Sequence, residues 1–196
     1  MKNIVKNTAV LTAITLVAGL LLGLVYEITK EPIAASQEAA KQEAYKAVLT
    51  DAERFEAVEV KADAVDIAGC TVNEVAEAKK GEETIGYVVT TTSSEGYGGD
   101  IKISVGIASD GTVKGVEILS ISETAGLGMN AQNAEFREQY VDKKVENFVV
   151  SKAASAENEI DAISGATITS TAFTNAVNTG LAYFQNVFMV GGSANE

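Results

Sequence analysis

Ile101-Lys102-Ile103-Ser104-Val105-Gly106-Ile107 alternates apolar with small or polar residues without interruption. A period of two is that of an extended chain whose successive side chains point to opposite faces, so the stretch predicts a strand with one buried face. Asp110-Gly111 follows as a hairpin turn, and Val113, Val116 and Ile118 begin the return strand. Upstream, Ile85 to Thr92 is rich in Val and Thr and reads as a preceding strand, with Val58 to Val65 as another. Downstream the period changes. In Ile168 to Phe188, Phe173, Val177, Leu181, Phe184 and Phe188 recur at intervals of three and four, the spacing of one helix face. An antiparallel sheet covered by that helix is an α+β domain.

Before this domain lies a different solvent preference. Asn7 to Tyr26 is a run of 20 residues without a charge, and a helix of that length spans roughly 30 Å, the hydrocarbon thickness of a bilayer. Lys2 and Lys6 precede the run and Glu27 follows it. The excess of positive charge on the N-terminal side predicts a cytoplasmic N-terminus and an extracytoplasmic remainder, single-pass in the cell membrane. A cleaved signal peptide would have a shorter apolar core, about 7–15 residues, and a small-residue cleavage site. Val25-Tyr26-Glu27 is no such site, and no Cys is near for lipid attachment. Pro32 is expected to break the helical pattern, with a new helix from Ser36 to Leu49 carrying a weak apolar face of Ala40, Ala44, Ala47 and Val48. The organisation read from this is a cytoplasmic N-terminus (1–6), a bilayer anchor (7–27), a juxtamembrane helix or stalk (28–50), an extracytoplasmic domain (51–190) and a C-terminal tail (191–196).

Composition excludes several chemistries. With 15 Lys and Arg against 27 Asp and Glu, the net charge of −12 argues against nucleic-acid binding, which needs a basic face. There is no His, hence no imidazole base and no common zinc, copper or iron ligand set. The lone Cys70 allows neither an intramolecular disulfide nor a four-Cys cluster, and is expected to be a small buried hydrophobe. Glu82-Glu83 reads as solvated loop charge. No catalytic set and no metal site emerges, so any chemistry would be brought by a cofactor.

One stretch is suited to hold such a group. Asp161-Ala162-Ile163-Ser164-Gly165-Ala166-Thr167 stands at the mouth of the C-terminal helix, where unpaired N–H groups and a positive dipole end favour a phosphate. Gly165 and Ala166 leave room beside the Thr167 hydroxyl. The plainer reading is helix capping by Ser164, Thr167, Thr169 or Ser170. Two further glycine-rich stretches flank predicted strands: Glu95-Gly96-Tyr97-Gly98-Gly99-Asp100, and Glu123-Thr124-Ala125-Gly126-Leu127-Gly128. Neither has the spacing of a P-loop or a dinucleotide fingerprint.

Taken together, these three stretches resemble, in order, the motifs of the FMN-binding domain family, found in the G subunit of Rnf electron-transport complexes and the C subunit of Na+-translocating NADH:quinone reductases. The resemblance spans roughly residues 51–187 plus the anchor, and is strongest to the Rnf form. Asp100 and Ala125 depart from it, standing where the family often has Pro. The resemblance implies an FMN joined by its phosphate to the Thr167 hydroxyl by a flavin transferase, with Asp161, Ser164, Gly165 and Ala166 completing the attachment motif. It also implies that Thr124 and Leu127 lie against the isoalloxazine and that the Gly98 and Gly99 loop passes near it. The function implied is electron relay, among the other membrane subunits of an Rnf-type ferredoxin:NAD+ oxidoreductase, coupled to Na+ or H+ translocation. The quinone-reductase C subunit and a flavinylated domain of another extracytoplasmic reductase are the nearer alternatives, and a pilin-like structural protein the remoter one.

Overall fold

The protein is described by a computed structural model covering residues 2–189. Met1, Val190 and the expected tail at 191–196 lie outside the described residues. Two compact units are present, divided after Lys41.

The first unit consists of most of one helix, α1 (Lys2–Val48). The apolar side chains of its uncharged segment, among them Leu11, Leu16, Leu20 and Leu22, are all exposed, and the helix is long and apolar enough to cross a membrane. Contrary to the expected break at Pro32, the helix runs through it. A proline deletes one backbone hydrogen bond and crowds the preceding turn. The flanking Ala34, Ala35, Ala39 and Ala40 have the highest helix propensity and carry the helix past it.

The second unit begins with the last turns of α1, so the domain starts earlier than the expected residue 51. Tyr45, Val48 and Leu49 are buried there against Ala76, Ala78 and Val88. The main sheet is antiparallel with strands in chain order: β1 (Arg54–Val58), β2 (Cys70–Lys80), β3 (Glu83–Ser93), β4 (Ile101–Ala108) and β5 (Val113–Ser120). The expected strand at Val58–Val65 is instead β1, ending at Val58, followed by a 3-10 turn at Ala62–Ala64. Strand β2 escaped the sequence reading because Glu74, Glu77, Lys79 and Lys80 dilute its apolar alternation. Cys70 opens β2 and is only partly buried, which corrects its expected place in the core. The Asp110-Gly111 turn closes as expected: the Thr112 amide donates to the Asp110 carboxylate at 2.9 Å and Gly111 takes a φ of 92°.

Helix α3 (Thr167–Phe184) lies on one face of this sheet. Phe173, Val177, Leu181 and Phe184 pack with Val89, Ile101, Ile103, Val105 and Ile107, all at most 1% exposed. The helix ends in a wider turn, Gln185–Met189, whose Phe188 stacks on Tyr87 at 3.8 Å. The opposite face of the sheet was expected to be open, yet Ser104, Gly106 and Gly115 are buried there. The end of α1 covers it. A Cβ on Gly106 would come within 2.6 Å of the Val48 carbonyl oxygen, so only a small residue permits that approach.

The segment between β5 and α3 holds short helical turns, including α2 (Ala134–Arg137), and a two-stranded parallel sheet of β6 (Val149–Ser151) and β7 (Glu159–Asp161). Phe136 meets Phe173 of α3 edge-on, Tyr140 packs edge-on with Phe136 and Phe148, and the Tyr140 hydroxyl bonds that of Thr174 in α3 at 2.7 Å. Burial pushes the Tyr140 phenol well above its ordinary pKa, so it stays neutral. Phe173→Ala would open a cavity at this junction and is expected to cost about 3–5 kcal/mol. Tyr140→Phe, which leaves Thr174 its bond to the Ser170 carbonyl, should cost only about 1 kcal/mol. Urea unfolding of the full chain in detergent checks both.

Candidate functional site

Register determines where the glycine-rich stretches meet. Ser93 pairs with Ile101, and Lys102 with Ser120. The turn from β3 to β4 and the loop leaving β5 therefore emerge from the same end of the sheet. Helix α3 runs so that its N-terminus is at that end too: Asn175 donates to the Glu95 carboxylate at 3.0 Å, whereas Phe184, nine residues on, meets Tyr87 near the strands' other end.

A cleft of about 520 Å3 opens between the three. Tyr97 contributes from the first stretch, Glu123, Thr124, Leu127 and Gly128 from the second, and Gly165 to Thr169 from the third. Its mouth is apolar: Tyr97 is 72%, Ile168 56% and Leu127 43% exposed. None of the ten lining residues is basic.

The stretch from Asp161 to Thr167 has a defined shape. Gly165 adopts a φ of 75° and would, with a Cβ, come within 3.1 Å of Leu127. Ala166 occupies the helix N-cap position and no side chain caps the helix. Capping is thus not the role of this Ser- and Thr-rich stretch. Ser170 is buried and ties the turn together, accepting from the Ile163 amide at 2.9 Å and donating to the Ala166 carbonyl at 2.9 Å. Thr167, the first helical residue, is exposed on the cleft wall. The amides of the first helical turn have no carbonyl a turn earlier to bond, so an anion beside Thr167 would meet N–H donors and the positive end of the dipole.

Of the residues singled out from sequence, Thr124, Leu127, Gly165, Ala166 and Thr167 line the cleft together. Asp161, Ser164, Gly98 and Gly99 do not. Asp161 closes the loop before the motif: its carboxylate accepts from the Ala154 amide at 2.7 Å, and its own amide donates to Gln139 at 2.7 Å. Glu159, two residues earlier, accepts from the amides of Ser155 and Ala156, which hold its carboxyl below the usual range. Gly98 packs against the second stretch, where a Cβ would stand 1.9 Å from the Ser122 carbonyl oxygen.

Sequence reasoning assigned no role to Glu123. Both its carboxylate oxygens are buried and have no hydrogen-bond partner among the described residues. They sit against bare glycines: a Cβ on Gly96 would lie 2.9 Å from Oε1, and one on Gly128 2.7 Å from Oε2. The available signal was an acidic residue at the entrance of a glycine-rich loop, which sequence alone cannot separate from a solvated charge.

Such a cleft can hold a phosphate-bearing ligand with a flat apolar body: amides and a hydroxyl at the inner wall, apolar side chains at the mouth. Comparison with known proteins agrees. The FMN-binding domain family matches residues 96–182, and the RnfG N-terminal region matches residues 1–48. The chain is 37% identical over 174 residues to the G subunit of the proton-translocating ferredoxin:NAD(+) oxidoreductase complex of Clostridium ljungdahlii, covering 89% of this chain and 86% of that one. It is 34% identical over 195 residues to the G subunit of the Na(+)-translocating ferredoxin:NAD(+) oxidoreductase complex of Acetobacterium woodii, covering 95% and 94%. The crystal structure of Shewanella oneidensis NqrC has the same fold, with a TM-score of 0.53 at 21% identity over 74% of each chain.

Gly98→Ala would drive a methyl group into the Ser122 carbonyl and part the first two loops. It should destabilise the domain by about 1–3 kcal/mol, with faster amide hydrogen exchange concentrated at residues 94–100 and 121–128.

Proposed function

This chain belongs to the family of G subunits of ion-translocating ferredoxin:NAD(+) oxidoreductase complexes, and on that premise we propose that it carries FMN joined covalently through its phosphate to the Thr167 hydroxyl. The protein is an FMN-binding, membrane-anchored electron-transport subunit of such a complex. What supports the attachment is one observation above the others: three stretches far apart in sequence converge on a cleft whose inner wall carries an exposed threonine at an uncapped helix N-terminus.

Each part of the cleft has a task. The first-turn amides of α3 would receive the phosphoryl oxygens. Gly165 and Ala166 keep the approach to Thr167 free of side chains, and Ser170 fixes the turn that presents it. Leu127, Thr124, Tyr97 and Ile168 would cover the ring system and exclude water from it. The bound flavin supplies the capacity to take up and release electrons. Asp161 and Ser164 fall outside the cleft wall, and their part in the motif is to form the turn that a flavin transferase recognises. With no basic residue in the wall, a free FMN dianion would be held weakly. A covalent tether replaces that missing affinity with a high effective concentration, which suits a carrier facing an open aqueous compartment.

The Lys2 and Lys6 charge bias supports an extracytoplasmic domain with the N-terminus in the cytoplasm. Its electron partners are the other membrane subunits of the complex.

Co-expression with an active flavin transferase in an exporting host tests the attachment. A fluorescent band on a denaturing gel, with a mass gain equal to FMN less water, is expected, and both should vanish in Thr167→Ala. A dark band of unmodified mass beside a flavinylated control would return Thr167 to a structural role. Orientation has its own test, because Cys70 is the chain's single thiol and is partly exposed. A membrane-impermeant maleimide should label it from outside intact cells of a bacterium expressing the chain, and labelling only after lysis would reverse the proposed topology.

A further inference from the structure

A buried carboxylate with no partner requires an explanation, because a glutamine or an apolar residue would fill the same space without the cost of removing a charge from water. Glu123 is such a group. It belongs to the cleft wall, both oxygens are shielded from solvent, and neither accepts a hydrogen bond from any described residue. Its neighbours are shaped to admit it. Gly96 and Gly128 offer it bare backbone on two sides, at positions where an added methyl carbon would lie 2.9 and 2.7 Å from its oxygens. Salt bridges elsewhere in the domain have their partners within reach, as Lys79 with Glu56 at 2.7 Å, but no cation lines this cleft. The second loop thus places a carboxyl group in the cleft wall with no basic side chain among the lining residues.

Building on the proposal that the cleft holds FMN, we infer that Glu123 is a potential-setting residue: its charge opposes the arrival of an electron on the flavin and keeps the reduction potential low. Two charges interact more strongly the less water lies between them. A carboxylate walled by glycine backbone and out of contact with solvent is poorly screened, so its influence persists at ionic strengths that silence surface charges. Glu123 need not touch the ring to act, because the field of a fixed charge extends through the cleft wall.

The experiment is a spectroelectrochemical titration of the full, flavinylated chain in detergent, with dithionite as electron source and mediator dyes, comparing wild type with Glu123→Gln and Glu123→Asp. Loading is read first, as fluorescence on a denaturing gel. In Glu123→Gln, which keeps shape and loses charge, the midpoint potential should move upward, and the displacement should survive in 1 M salt. Glu123→Asp, which keeps the charge, should stay close to wild type. An unchanged potential in a loaded Glu123→Gln chain overturns the inference while leaving the attachment at Thr167 standing. Folded variants that both fail to load would assign Glu123 to shaping the cleft and also overturn it. A wild-type chain that takes up no flavin removes the attachment reading and this one together.

Discussion

The packing of α3 on the sheet is the contact on which the rest depends. Phe173, Val177, Leu181 and Phe184 interlock with the inward row Ile101, Ile103, Val105 and Ile107, and Gly180 lets Val105 approach to within 3.3 Å of where its Cβ would be. Burying each large side chain in such a seam contributes about 1.5–3 kcal/mol. The seam also sets position. Because helix and strands are rigid, fixing the middle of α3 over β4 fixes its N-terminus over the sheet end from which both glycine-rich loops emerge. The cleft is a consequence of that seam.

The second face of the sheet is covered by the end of the helix that carries the membrane-crossing segment. Tyr45 reaches the Thr90 hydroxyl at 3.3 Å, which in turn bonds Ser104 at 3.1 Å, while Val48 settles over Gly106 and Gly115. The last turns of α1, which belong to the second unit, therefore fold with the sheet, and the small residues on that face are the condition for it. The end of α1 and helix α3 lie on opposite faces of the same central strands: Thr90 faces Tyr45, while Thr91 donates to the Ala176 carbonyl of α3 at 2.9 Å.

Much of this was legible from residues. The Ile101–Ile107 alternation, the Asp110-Gly111 turn and the three-and-four spacing after Ile168 each have one strong local explanation, and each folds accordingly. The signals that failed were those with two. In β2, charged residues on one face concealed the apolar positions of the other, and the helix runs on through Pro32 because a proline removes one hydrogen bond from a ladder that continues on both sides of it. Ser104 and Gly106 read as the polar side of a half-exposed strand, since small residues look alike whether they face water or a neighbouring backbone. Cys70 misled in the opposite sense, because its residue type is most often buried.

Alone, the amino-acid order determined the elements and the identities that carry chemistry: an uncharged run of bilayer length, an alternating sheet, an amphipathic helix with a threonine at its mouth, and no histidine. These are properties of neighbours within a few residues, where periodicity and backbone preference act directly. Only the tertiary structure decided that residues 97, 123–128 and 165–169 share one cleft, that Thr167 stands free of capping at its wall, and that the Glu123 carboxylate is buried without a partner among the described residues. Those facts arise from strand register and the direction of α3, which bring together positions up to about seventy residues apart. No local pattern encodes the solvation of a single carboxylate, because the atoms that exclude water from it belong to other loops.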